Sequence, residues 1–596
     1  MTKRFKVLFI IIAITGIISG CAGIAARQDA GPAKPFIPNI YSSGSSRDLP
    51  AFVISEGRMA VLYITSDRRV AFRLGEGEVF LDEEMKDRGA SAGAPFLYAE
   101  GSRIYAAWWS KTPPKGDKYL CFRVSSDGGK TFGPLKIINS GGGVINYWSV
   151  SDGKGGIAFV YDDERDYSTY PTYHVYINVS EDYGRTWFEK DVRLDSIPDV
   201  KYRGNFAVEP KVFINGQTIV VTWKERREEE GKPIYYLKSR TSKNGGKSWA
   251  GEVIVRKAET VFSSDNLISY NNALYLIGNE NNTGVIGFRS RDNGETWEGI
   301  GAVPRTIFFA ANSQIKVIAS KDRLYAIFTA DQHNAKSQVW FASYSPSENR
   351  WNEPVRMDVK DNDLTRALSP DILILRDGTL VAAWEDYRDI RSNIYMNLSA
   401  DGGRTWQARP FAVEVRGRYN CKMPRLLADG DKLYVFFYRY GNDALQRPDY
   451  VYRDFRADKG IVVNAVKDNF TMSRAEKEKR LRKRVDEFWT LRVQGKYADT
   501  YDYYDPFYRA KVTKEDYTKF QGNILYHRFK IAGIDIQDNI ATVKIDENFE
   551  VKEVEVMGMK VAAPPKDDTV EERWVWVYDD WYRVWENVFN QKFVEY

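Results

Sequence analysis

The sequence predicts a mainly β protein made of repeated units, followed by a small α+β domain. Aromatic residues are abundant, at 14% of the 596 residues with 16 Trp and 37 Tyr, and they favour sheets whose faces pack on one another. Short apolar segments alternate with polar turns, and one eight-residue motif recurs about every 50 to 60 residues. Strands this short and regular predict an all-β repeat rather than βαβ units.

The composition argues against several functional classes. The 86 basic and 81 acidic residues nearly cancel, and removal of Lys3, Arg4 and Lys6 with the N-terminal segment leaves 83 against 81, or +2. No overall field therefore favours a nucleic-acid partner. Only three His and three Cys occur, far apart in the sequence, so we predict no metal site, no iron–sulfur cluster and no other cofactor.

Residues 1–20 read as a targeting segment. Basic residues precede an apolar run from Val7 to Ile18, which is too short to span a hydrocarbon core of about 30 Å. The run ends in Ile18-Ser19-Gly20-Cys21, which resembles the bacterial lipobox; the alternative is an ordinary signal peptide with a chance Cys. The resemblance implies that acylated Cys21 holds the protein in a lipid bilayer of the cell envelope, outside the cytoplasm. Residues 21–47, rich in Ala, Gly, Ser and Pro, predict a flexible tether.

Five segments share one motif with a Ser, an Asp or Asn, a Gly, a Thr or Ser and an aromatic residue at fixed spacing. Their acidic or amide positions are Asp127, Asp182, Asn244, Asp292 and Asp401. The motif resembles the Asp-box, also called the bacterial neuraminidase repeat. The carboxylate can accept backbone N–H bonds across a tight turn and the Gly supplies a positive φ. We therefore interpret the boxes as structural turns rather than catalytic sites.

Three weaker copies extend the series to eight marked units, at Arg73–Phe80, Tyr344–Trp351 and Arg456–Gly460. Each unit reads as four short strands with the box between the third and the fourth. The resemblance implies that such units are arranged radially in an Asp-box β-propeller, here of residues 48–465. Because the outermost copies are the weakest, eight blades and seven blades closed by strands from both ends are both open.

A second domain is predicted for residues 470–596. Ser473 and Glu476 form a capping box that opens a helix; a second helix is expected over residues 497–504, and four strands within residues 528–586. Helices followed by a curved sheet resemble the nuclear-transport-factor-2-like cone. The resemblance implies a domain that holds a small ligand or mediates self-association.

Charged residues recur at one end of the units. In a propeller, the connections between strands two and three share a face with the start of each first strand, opposite the boxes. Candidate site residues on these connections are Arg165, Arg226, Arg388, Arg439, Asp163, Glu385 and Tyr387. Further polar residues expected on this face are Glu225, Glu280, Asp331, His333, Asp443, Glu209, Asp265, Lys422 and Arg425.

The resemblance extends to sialidases, which use this face. It implies three arginines that bind a sialic carboxylate, an Asp general acid and a Tyr nucleophile activated by a Glu. In this sequence the arginines would come from the four above, and the nucleophile would be Tyr161, Tyr387 or Tyr438. Glu385 and Asp163 are the candidate carboxylates.

Two functions are open. In the first, charges that recur in register, as in Trp384–Arg388 and Trp223–Arg226, form salt bridges or a solvated rim, and the funnel face binds a glycan or a cell-envelope protein. In the second, the chain is a retaining exo-glycosidase of exo-α-sialidase type. The sialidase Arg-Ile-Pro motif is replaced here by Arg47-Asp48-Leu49-Pro50, a departure that weighs against the second.

Overall fold

The computed structural model of the protein describes residues 33–456 and 472–593 apart from short gaps. The gaps are residues 39, 43–45, 166–172, 198–203, 282, 305–313, 331–336, 359–365, 390, 415–418, 431, 442–446, 520, 538–539, 557–558, 578 and 588–591. Across the part of the chain before residue 457, almost all regular structure is antiparallel strand, as the sequence predicts. None of the helices in the described residues is long and apolar enough to cross a membrane.

The strands before residue 457 form eight antiparallel sheets, numbered here in chain order. Sheets 1 to 4 consist of Ala51–Ser55, Arg58–Ile64, Val70–Leu74 and Gly77–Phe80; Ser91–Glu100, Arg103–Thr112, Asp117–Ser125 and Lys136–Ile137; Val144–Ser151, Ile157–Asp163, His174–Ser180 and Val192–Arg193; Phe206–Asn215, Thr218–Glu229, Lys232–Ser242 and Val253–Ala258. Sheets 5 to 7 consist of Phe262–Tyr270, Ala273–Glu280, Gly284–Ser290 and Glu298–Ala302; Ile315–Ala319, Leu324–Ala330, Gln338–Ser345, Arg350–Trp351 and Val355–Arg356; Ala367–Ile374, Leu380–Asp389, Arg391–Ser399 and Phe411–Ala412. Sheet 8 consists of Asn420–Asp429, Lys432–Tyr440, Asp449–Arg456 and Lys34–Ile37. Two short helices, Ser46–Asp48 and Glu83–Lys86, flank sheet 1.

The sheets are joined into a ring by hydrophobic seams. Buried apolar clusters connect each sheet to the next, from sheets 1 and 2 through to sheets 7 and 8. A further cluster joins sheet 8 back to sheet 1, with Phe436 and Tyr438 packed against Val61 and Tyr63. The described residues therefore form a closed, propeller-like arrangement.

The N-terminal strand completes the last sheet, which corrects the predicted tether of residues 21–47. Lys34–Ile37 pairs antiparallel with Asp449–Arg456, and Lys34 faces Tyr452 in the register. Ile37 and Ile40 are buried, because their side chains fill the seam between sheets 8 and 1. Any tether therefore ends before Lys34, and sheet 8 contains strands from both ends of the ring.

The five complete boxes form the same turn. The Ser125 hydroxyl donates to Asp127 at 2.7 Å and accepts the N–H of Gly129 at 2.8 Å. Asp127 accepts the backbone N–H and the hydroxyl of Thr131 at 3.0 and 2.6 Å, and these donors hold the pKa of Asp127 well below its usual value. The other boxes repeat the bonds, except that Asn244 donates to the Ser248 hydroxyl through its amide nitrogen.

Two of the three weaker copies also lie where a third strand leads into a fourth. Arg73–Phe80 spans the last two strands of sheet 1, and Tyr344–Trp351 spans the same position in sheet 6. The third copy, Arg456–Gly460, lies outside the described residues after Arg456.

The Gly four residues after the Ser of each box lies against the preceding sheet. Gly184 has a φ of 80°, and a Cβ there would lie 2.5 Å from the Phe122 ring of sheet 2. The box residue Trp187 packs on the same ring, with centroids 5.3 Å apart. The equivalent glycines are Gly129, Gly246, Gly294 and Gly403, which face Phe72, Val179, Val220 and Phe341. The box therefore shapes both its own turn and the seam to the preceding sheet.

A β-bulge interrupts the first strand of four sheets just before a proline. The bulged residues Ala94, Glu209, Ser369 and Met423 have φ between 49° and 56°, and the register shifts at each of them. This conformation costs a non-glycine residue about 1–3 kcal/mol. Side chains from outside the bulged sheet stabilise it, because the N–H groups of Ala94, Glu209 and Met423 donate to Asp48, Asp162 and Glu385 at 3.1, 2.8 and 3.3 Å.

Residues 472–593 form an α+β domain with elements in the predicted order. Helix Arg474–Val493 begins at the predicted capping box, where Ser473 accepts the N–H of Glu476 at 3.3 Å. A 3-10 helix, Tyr497–Tyr503, takes the place of the predicted second helix, and Pro506–Lys511 and Lys514–Lys519 follow. The remaining strands are Ile524–Gln537, Ile540–Val556, Met559–Val577 and Asp580–Arg583, with a small pair, Glu586–Asn587 and Lys592–Phe593. The core between the long helix and the sheet is rich in aromatic residues.

The seam role of the box glycine makes Gly184→Ala destabilising. The new Cβ would contact the Phe122 ring at 2.5 Å in a left-handed conformation, so we expect the free energy of unfolding to fall by about 3 kcal/mol in chemical denaturation. Gly153→Ala is the matched control, since Gly153 has a φ of 71° and no atom within 4 Å of the position that a Cβ would take. Equal losses in the two variants would contradict the seam role.

Candidate functional site

A cavity of about 620 Å³ lies at the centre of the ring. The first strands of sheets 1 to 4 and of sheet 8 all contribute to its wall. Its lining residues lie near the start or the middle of these strands, such as Asn146 and Lys211, and Leu49 and Pro50 precede the first strand of sheet 1. The cavity therefore extends toward the face that carries the connections between second and third strands, opposite the boxes.

The cavity combines an exposed aromatic ring with cationic side chains. Trp148 is 44% exposed, and the ammonium of Lys211 lies 5.2 Å from its ring centroid. Arg425 and Arg47 also line the cavity, while Glu209 is its acidic residue. Cations over aromatic rings and guanidinium groups at a cavity wall are typical of sites that bind oxygen-rich anionic ligands.

Buried charges fix the cavity wall from behind. Asp162 accepts the N–H of Asn146 and of Glu209, both at 2.8 Å, and its burial raises its pKa against the effect of these bonds. The ammonium of Lys224 bridges Glu209 at 2.5 Å and Asp265 at 3.1 Å. Although burial opposes it, Lys224 keeps the pKa of Asp265 below its usual value. The carboxylates of Asp162, Glu209 and Asp265 therefore hold the cavity wall in place.

Three of the four predicted arginines bind carboxylates of the ring. Two of them, Arg165 and Arg388, each pair with carboxylates at their own sheet. Arg165 contacts Asp163 at 2.8 Å and Asp191 at 2.6 Å, and although burial opposes it, Arg165 holds the pKa of Asp191 at about 2. Arg388 donates to Asp386 at 2.5 Å. These two arginines have separate partners at sheets 3 and 7, rather than a shared anion.

Arg439 lies at the seam between two sheets. Its guanidinium group is 3.6 Å from Glu414, which follows sheet 7, and 3.7 Å from Asp449 of sheet 8. It also lies 4.8 Å from the ring centroid of Tyr419. Arg439 therefore links neighbouring sheets, as the salt-bridge interpretation expects.

The predicted role of Arg226 belongs to the next residue, Arg227. In sheet 4 the ion pair equivalent to Arg165–Asp163 and Arg388–Asp386 is formed by Arg227 and Glu225; Arg226 donates to the Gly204 carbonyl. The displacement arises because the repeat places the arginine four residues after the aromatic residue, and the sequence has Arg at both 226 and 227.

The carboxylates two residues before Arg388 and Arg227 also bond to the aromatic residue of the repeat. The indole N–H of Trp384 donates to Asp386 at 2.9 Å, and that of Trp223 to Glu225 at 3.3 Å. An aromatic residue, a carboxylate two positions later and an Arg two positions after that form one local unit, since residues two apart point to the same side of a strand.

One predicted pair does come together. The Tyr387 hydroxyl donates to Glu385 at 2.7 Å, and the two residues are 7% and 3% exposed. Burial raises the pKa of Glu385, against the opposing charge of Lys422. The other candidate tyrosines differ: Tyr161 donates to Asp191 and Tyr438 to the Asp48 carbonyl at 3.1 Å.

Several expected residues contribute differently or cannot be located. Asp331, His333 and Asp443 lie outside the described residues, and Glu280 contacts Arg256 at 3.2 Å. Trp148 and Lys211 of the cavity are not recognisable from the sequence. Their exposure depends on how neighbouring first strands approach one another, and the sequence carries no local signal for it. In the described residues, no group of three or more His, Cys, Asp or Glu side chains could hold a metal ion.

Residues 217–424 match the family model of the BNR repeat-like domain. The match covers the last three strands of sheet 4, all of sheets 5 to 7 and the start of the first strand of sheet 8, and it contains the three complete boxes at Asn244, Asp292 and Asp401. A search of curated proteins finds no match.

Solved structures with similar folds include proteins named as carbohydrate-active enzymes. The NanB sialidase from Streptococcus pneumoniae is 9% identical, with 72% of this chain and 93% of that chain covered and a TM-score of 0.32. The α-L-arabinofuranosidase Arb93A from Fusarium graminearum is 15% identical, with 61% and 91% covered and a TM-score of 0.31. An ulvan lyase of polysaccharide lyase family PL25 is 14% identical, with 65% and 97% covered and a TM-score of 0.40. At these TM-scores and identities, the similarities assign no activity or substrate to this chain.

Proposed function

We propose that the eight sheets are the blades of an eight-bladed propeller and that its central cavity binds an extracytoplasmic glycan. The observation that carries this proposal is the pairing of an exposed Trp148 with Lys211 and Arg425 around a cavity of about 620 Å³. A cavity of this size accommodates a short oligosaccharide. The BNR repeat-like match supports a carbohydrate-related role.

Two features of the cavity favour binding over a purely structural role. A large aromatic ring that is 44% exposed can stack on the apolar face of a sugar, at the cost of remaining in contact with water when empty. Within the described residues, the side chains of Arg425 and Lys211 form no hydrogen bond or ion pair, unlike Arg165 and Arg388. Their charges therefore remain available to an incoming ligand.

Removal of the ring or of the guanidinium group should weaken glycan binding. We expect Trp148→Ala to lose stacking and Arg425→Ala to lose a charged hydrogen bond, each with a rise in Kd of about ten-fold or more. Isothermal titration of the purified unlipidated chain with sialyllactose, oligogalacturonate and a heparin oligosaccharide, and with maltohexaose as the neutral sugar, measures this.

The controls for this titration lie away from the cavity. Arg376→Ala removes an exposed arginine from the turn after the first strand of sheet 7, on the box face, and Ile254→Ala removes a side chain that is 56% exposed in sheet 4. Both should bind as the wild type does. Absence of binding to every sugar, with specific retention of an envelope protein on an array, would reject the glycan in favour of a protein partner.

A second candidate function is glycoside hydrolysis, favoured by the Tyr387–Glu385 pair. A buried carboxylate that accepts the tyrosine proton can activate the phenolic oxygen as a nucleophile. The separate partners of Arg165, Arg388 and Arg439 weigh against a sialic-acid clamp built from these residues. Glycan binding is therefore the favoured function, and hydrolysis is the second candidate.

Hydrolysis predicts a specific loss in Tyr387→Phe. If aryl glycosides or a fluorogenic sialoside are turned over, removal of the hydroxyl should lower kcat by about a hundred-fold or more, since no nucleophile would remain. Tyr344→Phe is the control, because the Tyr344 hydroxyl bonds to Asn349 at 2.6 Å in sheet 6. Turnover that survives in Tyr387→Phe would exclude this tyrosine, and no turnover of any substrate by the wild type would exclude the enzyme.

We also propose that acylation of Cys21 anchors the chain to the cell envelope and that residues 472–593 form a nuclear-transport-factor-2-like domain that can self-associate. Support for the anchor comes from the lipobox-like residues 18–21 alone. Two acyl chains give stable membrane attachment, whereas one is marginal.

The anchor predicts that Cys21→Ser moves the protein from the membrane to the soluble fraction. Loss of the thiol removes the acceptor for the lipid, and fractionation of expressing cells followed by immunoblotting measures the shift. Cys421→Ser is the control, since Cys421 is buried in the ring. A Cys21→Ser variant that stays with the membrane would show that another segment holds it there.

A further inference from the structure

The third strand of sheet 7 begins with buried residues. Its first three residues, Arg391, Ser392 and Asn393, are at most 1% exposed. An arginine is almost never fully buried unless it is paired, so another part of the chain covers Arg391.

The covering part includes the C-terminal domain. The guanidinium of Arg391 and the carboxylate of Asp505 form an ion pair in which neither side chain is exposed. Asp505 lies between the 3-10 helix Tyr497–Tyr503 and helix Pro506–Lys511. The contact therefore joins the funnel face of the ring to residues 114 positions later in the chain.

The acidic partner is held rigidly within its own domain. The N–H of Asp505 donates to the carbonyl of Arg583 at 2.9 Å. Arg583 in turn donates to Glu572 and to the Tyr504 hydroxyl, both at 2.7 Å. Glu572 also accepts the indole N–H of Trp489 at 3.2 Å. The ion pair is thus continuous with the polar network in the aromatic core of the C-terminal domain.

The basic partner is close to the residues of the candidate site. The preceding strand, Leu380–Asp389, carries Glu385 and Tyr387, and Tyr387 is only 7% exposed. The backbone N–H of Ser392 donates to Asn420 at 3.2 Å, the first residue of the strand that carries Arg425. The docking point therefore follows the strand that carries the Tyr387–Glu385 pair and is bonded to the strand that carries Arg425.

We propose that the C-terminal domain docks on the funnel face at sheet 7 and forms a wall beside the ligand site on that side, beyond the residues that line the cavity itself, with Arg391 and Asp505 as the positioning pair. A buried ion pair orients its partners strongly, and loss of one of its charges is strongly destabilising. The domain thereby limits access to Tyr387 and Glu385 and restricts the length of ligand that can extend from the cavity toward sheet 7. The docking stands on the contacts above, and the ligand wall rests on the proposed glycan site.

Docking is tested without ligand by hydrogen exchange on the full unlipidated chain. Asp505→Asn should speed exchange of the amides in residues 391–399 by about a hundred-fold, since the separated state becomes more populated, and should enlarge the radius of gyration in solution scattering. Asp502→Asn is the matched control, because the Asp502 side chain is 62% exposed and bonds within its own domain. The double variant Arg391→Asp with Asp505→Arg should recover part of the protection.

Unchanged exchange in residues 391–399 with an unchanged radius would overturn the docking. If Asp505→Asn fails to fold, Arg391→Gln tests the same contact from the ring side, with the same expected gain in exchange. The wall is tested with an oligogalacturonate hexamer and dimer: Asp505→Asn should lower the Kd of the hexamer by about ten-fold or more, because the longer ligand is no longer obstructed, and leave that of the dimer unchanged. Equal Kd values in wild type and variant would overturn the wall, and a hexamer that binds neither protein would reject the proposed glycan site while the exchange result still decides the docking.

Discussion

The ring depends on the apolar seam between each sheet and the next. A four-stranded sheet of this size cannot bury both faces alone, and burial of apolar surface is the dominant favourable term in folding. The Asp-box serves this seam directly. Its Ser and its Asp or Asn fix a tight turn, and its Gly four residues after the Ser leaves room for a side chain of the preceding sheet; in the box at Asp182 the aromatic residue Trp187 packs on that side chain. Polar groups at the other end of the strands are then free to differ from sheet to sheet.

Features with local chemistry were predictable from the sequence. The box turns, the strand order around Asp401 and the helix that begins at Ser473 follow from hydrogen bonds between residues a few positions apart. The strand Lys34–Ile37 was not predictable, because it contains a proline and its partner Asp449–Arg456 lies more than four hundred residues away. That the last sheet contains strands from both ends of the ring followed only once that pairing was known.

The same distinction between local and distant contacts applies to the candidate site. Glu385 and Tyr387 could be paired from the sequence, since residues two apart in a strand point to one side. Arg165 and Arg388 carried an ambiguous signal, because a guanidinium that binds an external anion and one that binds its own carboxylate have the same sequence pattern. Trp148 and Arg425 carried no signal, since they meet only when the first strands of sheets 3 and 8 converge at the centre of the ring.

The pairing of Lys34–Ile37 with the last sheet has a consequence for biogenesis. In a chain that is synthesised from its N-terminus, the first strand stays unpaired until residue 456 has emerged. The ring therefore cannot close during most of synthesis. Until then, sheets 1 and 7 each present an unsatisfied apolar flank to the surroundings, a state that invites misassembly between neighbouring molecules.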